Sequence, residues 1–300
     1  MNWILVAVAA YFFGALSFIG DKLILSRIVT SPLVYAFYAG VLSVFAALLF
    51  PFDMIWPGTA QFLLSLVAGV IFLFALLALF VALKSGEVSR VLPVVGGLTP
   101  VFVYLGSYAL LGEQLTFMQT VALVFLVVGG VLISMERAPW SFFGIPAWHN
   151  ILMPVLAALL FGIFYVSVKY VFTHQPFLSG FIWTRLGSFA GALILLVPKS
   201  NREVIFNSVR TLNARVGGFF IANKILAGIA FLILNYAIYL GSVTLVNALQ
   251  GVQYFFILAF SIFLSARIPQ FFEEKITRSI IMQKISAILL TGIGLALLVV

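Results

Sequence analysis

Ten separate stretches of this 300-residue chain are each long and apolar enough to cross a lipid bilayer. A hydrocarbon core of about 30 Å needs about 20 predominantly apolar residues in helical form. The stretches fall at about residues 2–20, 32–50, 60–83, 91–111, 117–134, 151–171, 177–197, 216–240, 245–265 and 283–300. Lipid offers no partner to a bare amide, so only helices or a closed barrel can occupy it. Barrel strands alternate apolar and polar residues with period two, and no such alternation or Asn-Gly hairpin signal occurs here. The expected fold is an all-α membrane protein of ten transmembrane helices. Composition agrees: 64% of residues are hydrophobic and 8% charged, against about 45–50% and about 25% in soluble domains.

The chain also reads twice. Phe12-Phe13-Gly14-Ala15-Leu16-Ser17 is answered by Leu160-Phe161-Gly162-Ile163-Phe164-Tyr165. Pro32-Leu33 with Phe37 and Ser43-Val44-Phe45-Ala46 is answered by Pro176-Phe177 with Phe181 and Gly187-Ser188-Phe189-Ala190. Gly86-Glu87-Val88-Ser89 with Gly96 is answered by Gly241-Ser242-Val243-Thr244 with Gly251. The order holds through two five-helix repeats, at about residues 2–135 and 151–299. Internal repetition of spans is the usual ground plan of a secondary transporter.

Charge orients the repeats. Lys22 and Arg27 follow span one, Lys84 and Arg90 follow span three, and Arg137 follows span five. Lys199, Arg202, Arg210 and Arg215 follow span seven; Arg267, Lys275, Arg278 and Lys284 follow span nine. Thus thirteen of the sixteen Lys and Arg residues lie in odd-numbered loops, and the even-numbered loops carry none. Because each repeat has five spans, the second crosses upside down, and equivalent loops carry opposite charge. The repeat is therefore expected to be inverted. The positive-inside rule places odd loops in the cytoplasm and both termini outside. The same rule explains the net charge of +8 without nucleic acid as a partner. The first segment lacks a basic leader and a cleavage site, so it is expected to be a retained span. The absence of Cys removes disulfides and thiol chemistry. After span seven, Ile205, Val209, Leu212 and Val216 share one face, with Arg202, Asn207, Arg210 and Asn213 elsewhere. That spacing fits an interfacial helix or a solvated linker.

The run Lys84-Ser85-Gly86-Glu87-Val88-Ser89-Arg90-Val91, then Pro93, Thr99-Pro100-Val101-Phe102, Leu111-Gly112-Glu113-Gln114-Leu115, Gln119 and Gly129-Gly130 resembles the EamA repeat. That repeat defines the ten-helix transporters of the drug/metabolite transporter superfamily. The second half departs from it, with Phe255 in place of Pro100 and Ile268 in place of Glu113. The resemblance implies a 5+5 inverted-repeat carrier of small metabolites, often an exporter of amino acids or related compounds. It also implies cytoplasmic termini, the reverse of the loop count.

Gly86, Pro93, Gly96, Gly97 and Pro100 predict either a kinked fourth span beside a water-lined path or close packing of small residues. Leu111-Gly112-Glu113 predicts a helix stop followed by an acidic first turn. Gly129-Gly130 and Gly292-Gly294 predict helix packing or a dimer face. His149 and His174 have no further ligand at metal spacing. No nucleophile-and-base set, phosphate loop or dinucleotide turn is found, so neither enzyme activity nor a cofactor is expected.

Arg185 and Lys224 lie some nine residues into their spans. A cation at the bilayer centre costs about 2.5–3.5 kcal/mol, and the repeat equivalents Val41 and Gly69 are uncharged. Lys224, Gly228, Phe231 and Asn235 share one helical face; Asn247, Gln250, Gly251, Tyr254 and Ser261 share another. The reading is a substrate site at the repeat interface. Arg185 and Lys224 form an uncompensated cation pair there, and Asn235, Asn247, Gln250 and Tyr254 orient the substrate. The alternative is snorkelling of both cations. No carboxylate lies deep in a span; Asp21, the repeat partner of Lys169, comes nearest. The expected protein is a plasma-membrane secondary transporter, possible as a homodimer, that moves a small anionic or zwitterionic metabolite by alternating access. A lipid-headgroup flippase is the alternative within transport; a membrane enzyme or a non-transporting scaffold is the alternative outside it.

Overall fold

The structure, a computed structural model, describes residues 2–25, 31–52, 55–85, 88–135, 149–209, 214–265 and 278–299. Gly86, Glu87, Arg137, Ile268 and several other loop residues singled out above (Arg27, Arg210, Leu212, Asn213, Arg267 and Lys275) lie outside the described residues. The described residues are helical, with no strand. In chain order the helices are α1 (Asn2–Leu25), α2 (Pro32–Leu42) continued by a 3₁₀ stretch (Ser43–Leu49), α3 (Thr59–Ser85), α4 (Val88–Leu111), α5 (Phe117–Ser134) and α6 (His149–His174). They continue with α7 (Phe177–Leu195), α8 (Lys199–Val209), α9 (Ala214–Leu240), α10 (Val243–Ala248), α11 (Gln250–Ser265) and α12 (Arg278–Val299). Nine spans among the described residues are long and apolar enough to cross a membrane, α10 and α11 together counting as one. The apolar part of α12, Met282–Leu298, is shorter.

The ends of these helices follow from local sequence. Pro32 opens α2 at a position that needs no amide proton. α4 stops at Leu111 because Gly112 takes a φ of 66°, and the Glu113 amide then donates to Ser107 O at 3.2 Å. Glu113 does not enter the next first turn, as its sequence position suggested. Thr116 and Gln119 form a capping box there instead, so α5 starts at Phe117.

Small residues set the helix crossings. Gly69 of α3 lies against the Thr184 carbonyl of α7, and Gly187 of α7 against Leu66 of α3. Ser188 Oγ donates to Gly69 O at 3.1 Å, so backbone meets backbone. Gly129 packs on Thr291 and Ala287, Gly130 on Gly251, and Gly294 on Leu126; these contacts join α5 to α11 and α12. In α4, Gly96 receives Tyr254 and Gly97 receives Val131. α4 runs without interruption through Pro93 and Pro100, and Gly96 and Gly97 serve the close packing that was the other reading of these residues. The interruption falls in span nine, between α10 and α11, where Val252 N donates to Leu249 O at 2.9 Å. After span seven, α8 is a helix that turns Ile205 inward, buried, and leaves Val204 and Phe206 exposed.

The main packing pairs are α1 with α9, α3 with α6, α3 with α7, α4 with α6, and α5 with α12. α2 and α9, in contrast, barely meet along their backbones. Since Gly69 admits no side chain against α7, Gly69→Val is expected to abolish monodisperse protein in detergent size-exclusion. Gly228→Val, where a Cβ meets nothing within 4 Å, is expected to elute like the parent protein.

Candidate functional site

Arg185 is the ninth residue of α7, about 12 Å along it from Phe177 at 1.5 Å rise per residue. That depth puts its guanidinium near the middle of a core about 30 Å thick. One terminal nitrogen donates to Ser43 Oγ. Ser43 in turn donates to Ala39 O at 3.0 Å, where α2 tightens into its 3₁₀ stretch. The guanidinium carbon stands 5.1 Å from the centroid of the Phe72 ring and 4.8 Å from that of Phe231. These rings pack on Phe164 and Phe181. The other terminal nitrogen, Nη1, is buried without a hydrogen-bond partner, and no carboxylate pairs with Arg185 among the described residues. A cation held by π faces and one hydroxyl keeps half of its fork unused.

Lys224 is a different case. Its ammonium sits 2.9 Å from Asp21 Oδ1 and 3.1 Å from Oδ2, and it also donates to the Tyr35 hydroxyl and lies over the Tyr35 ring. Asn223 donates to the same Asp21 carboxylate. The expectation of two uncompensated cations is thus corrected. Lys224 is neutralised by Asp21, whose place at the end of span one lets α1, α2 and α9 share one latch. The two cations are also separated in depth. Arg185 stacks on Phe231, seven residues from Lys224 and so about 10 Å farther along α9.

The polar residues expected to orient a ligand fall in two places. Gln250 Nε2 donates to the Tyr254 hydroxyl at 3.3 Å, beside Gly96. Asn247 bonds back to Val243 O at 2.8 Å, at the α10–α11 interruption, where Tyr11 of α1 donates to Val246 O at 2.8 Å. Asn235 is buried and donates to Phe231 O at 2.8 Å, one turn from the ring under Arg185. Among the described residues, no hydrogen bond joins Gln250 or Tyr254 to Arg185.

Sequence reasoning missed several features. Lys169 of α6 donates to Ile238, Tyr239 and Gly241 carbonyls at 2.8, 3.3 and 2.7 Å, closing the C-terminus of α9. Glu113 accepts from Thr244 Oγ1 at 2.7 Å; that hydroxyl also meets Ser107 Oγ at 2.9 Å. Phe50, Trp56, Phe62 and Trp183 form an aromatic plug where α3 and α7 begin. Only the repeat correspondence of Asp21 and Lys169 pointed toward either ionic device.

Residues 1–135 match the EamA-like transporter family. Twenty-three solved chains match the fold. One, a crystal structure whose title names no function, superposes with a TM-score of 0.65 at 18% identity, covering 99% of this chain and 98% of the other. At that identity the likeness concerns the fold alone. No curated protein matches.

The Lys224–Asp21 pair is partly buried, and removing one partner of such a pair destabilises because it leaves the other charge bare. Lys224→Gln and Asp21→Asn are each expected to lower the apparent melting temperature in detergent. The double variant should recover most of the loss. Additive losses in this cycle would show that the latch carries no coupling.

Proposed function

We propose that this chain, whose residues 1–135 are an EamA-like transporter domain of the drug/metabolite transporter superfamily, is a ten-helix, inverted-repeat carrier. It moves a small anionic or zwitterionic metabolite across the plasma membrane by alternating access. Members of this family are transporters rather than enzymes, and the multi-pass helical architecture accords with that activity. Under the repeat correspondence, α1 on α9 is the counterpart of α6 on α3, and both are main packing pairs. α5 and α12 are each other's counterparts and pack on one another.

The counterpart of the α3–α7 crossing is α9 with α2, and here the two halves differ. α3 and α7 meet through glycines behind the aromatic plug, while α2 and α9 are bridged by the long side chains of Lys224, Tyr35 and Phe220. This difference supports a thick gate on the even-loop side and a thin, ionic gate on the odd-loop side. Alternating access then exchanges them: the ionic latch opens or closes while the glycine crossing does the reverse. By the charge rule the thin gate faces the cytoplasm.

One observation carries the claim about cargo: Arg185 is buried near mid-membrane with Nη1 unsatisfied and no described carboxylate beside it. Such a group gains most from an anionic ligand that completes the fork. A carboxylate seated there places its body among Phe72, Phe231 and Phe164. Lys224 serves the gate, with Asp21 as its resident anion, and Asn235 and Asn247 exchange their bonds to Phe231 O and Val243 O for the remainder of the substrate.

Loss of a charge-assisted hydrogen bond is worth about 1.5–3 kcal/mol, or roughly ten- to hundred-fold in affinity. Arg185→Gln is expected to weaken binding of transported monoanions by that factor in proteoliposome uptake while the protein stays folded, since a buried charge is removed. Arg185→Lys should recover part of the affinity, because charge returns without the fork. Normal uptake by Arg185→Gln removes the anionic-cargo reading and leaves the carrier reading standing.

A further inference from the structure

Two cavities meet on the outer side of α4 and α6. The larger, about 550 Å³, is a groove lined by Leu64 of α3, Phe102, Leu105 and Gly106 of α4, and Leu159 and Ile163 of α6, among others. The smaller, about 310 Å³, is its mouth, lined by Glu113, Lys169, Thr173 and His174. Leu110, Leu111 and Tyr170 line both, so the two are one continuous depression, apolar below and polar above.

Its place in the membrane is set by the helices. Leu111 and His174 are the last residues of their apolar spans, which puts the mouth at headgroup level. From Tyr170 down to Leu159 along α6 is about 16 Å, close to half of a core about 30 Å thick. The groove is therefore one leaflet deep. Leu105 and Ile163 are 58% and 42% exposed along it, and Gly106 and Gly162, which pack on Val166 and Phe102, keep its floor low.

The mouth has a defined charge pattern. All three donors of the Lys169 ammonium are committed to carbonyls, so it contributes a fixed positive charge with no free N–H. Glu113 shares one oxygen with Thr244, and its Oε1 is buried beneath the mouth without a partner. Thr173 and His174 stand at the rim, bonded to Tyr170 O. One positive and one negative side chain, with an acceptor uncommitted, complement a headgroup that carries both a phosphate and an N–H-donating ammonium.

We propose that this depression holds one phospholipid of the even-loop leaflet, with an acyl chain along α4 and α6 and an ethanolamine-type headgroup in the mouth. The ammonium answers Glu113, and the phosphate lies toward Lys169 and His174. The site is independent of Arg185 and of the cargo. A choline headgroup has no N–H to give, and a phosphatidylglycerol brings net negative charge to Glu113.

Native mass spectrometry of the delipidated full chain, with phosphatidylethanolamine, phosphatidylcholine or phosphatidylglycerol of equal chain length added back, tests this. The first lipid is expected to be retained about ten-fold better than the other two, as the loss of one charge-assisted hydrogen bond implies. Glu113→Gln should erase that preference while leaving lipid retention itself. Ser167→Trp, which fills the groove, should abolish retention; Ile163→Trp supplies the same block if the first variant does not fold. Equal retention of the three lipids, unchanged retention by a groove-filled variant that folds, or a lipid-free dimer buried through this face would each overturn the proposal.

Discussion

A charge inside a bilayer has no water to turn to, so each cation within these spans must be satisfied by the protein or left wanting. Lys224 and Lys169 are satisfied in two ways: one by a carboxylate and a phenol from other helices, the other by the carbonyls that end α9. Both bonds tie helices that are far apart in sequence, and each involves a residue at or near the end of a span, Asp21 in one case and Gly241 in the other. Arg185 has one hydroxyl, two aromatic faces and an unused nitrogen. A group kept in that state costs stability, and it sets Arg185 apart from Lys224 and Lys169, whose bonds tie helices together.

The rest of the architecture lets helices approach where lipid provides no hydrophobic drive. In membranes, association rests on van der Waals contact and hydrogen bonds, and the close crossings here fall at Gly69, Gly187, Gly129, Gly130 and Gly251. The α3–α7 crossing is sealed by backbone contact, whereas α2 and α9 are joined by side chains long enough to cover a gap. A salt bridge and a tyrosine hydroxyl can be exchanged for other partners during a conformational change. A glycine crossing can part only as a unit, so the two crossings differ in kind.

Much of this could be read from the sequence because bilayer length and hydropathy are local constraints. The spans of α1, α3, α6 and α9 were visible as apolar runs, and Gly112 and Pro32 marked helix ends by their own backbone chemistry. Pairing was less legible. Asp21 stood out as the deepest acid and Lys224 as an intramembrane cation, yet 203 residues separate them and periodicity within one helix says nothing about partners on another. The glycines and prolines of span four suggested a bend, but sequence does not tell a glycine that bends a helix from one that admits Tyr254. Arg185 was singled out from its depth in span seven; its aromatic surroundings come from α3, α6 and α9 and become visible only once those helices are packed.

In the proposed mechanism two gates on opposite faces alternate about Arg185. The chain has no Cys, so spin labels can be placed without background. Double electron–electron resonance in lipid nanodiscs would use one pair at Leu33 and Ile221, reporting α2 against α9, and another at Leu63 and Leu178, reporting α3 against α7. The account predicts two populations for each pair, and a transported anion should shift them in opposite senses: when the α2–α9 distance shortens, the α3–α7 distance lengthens. A single fixed distance in both pairs, or distances that shorten and lengthen together, would contradict it.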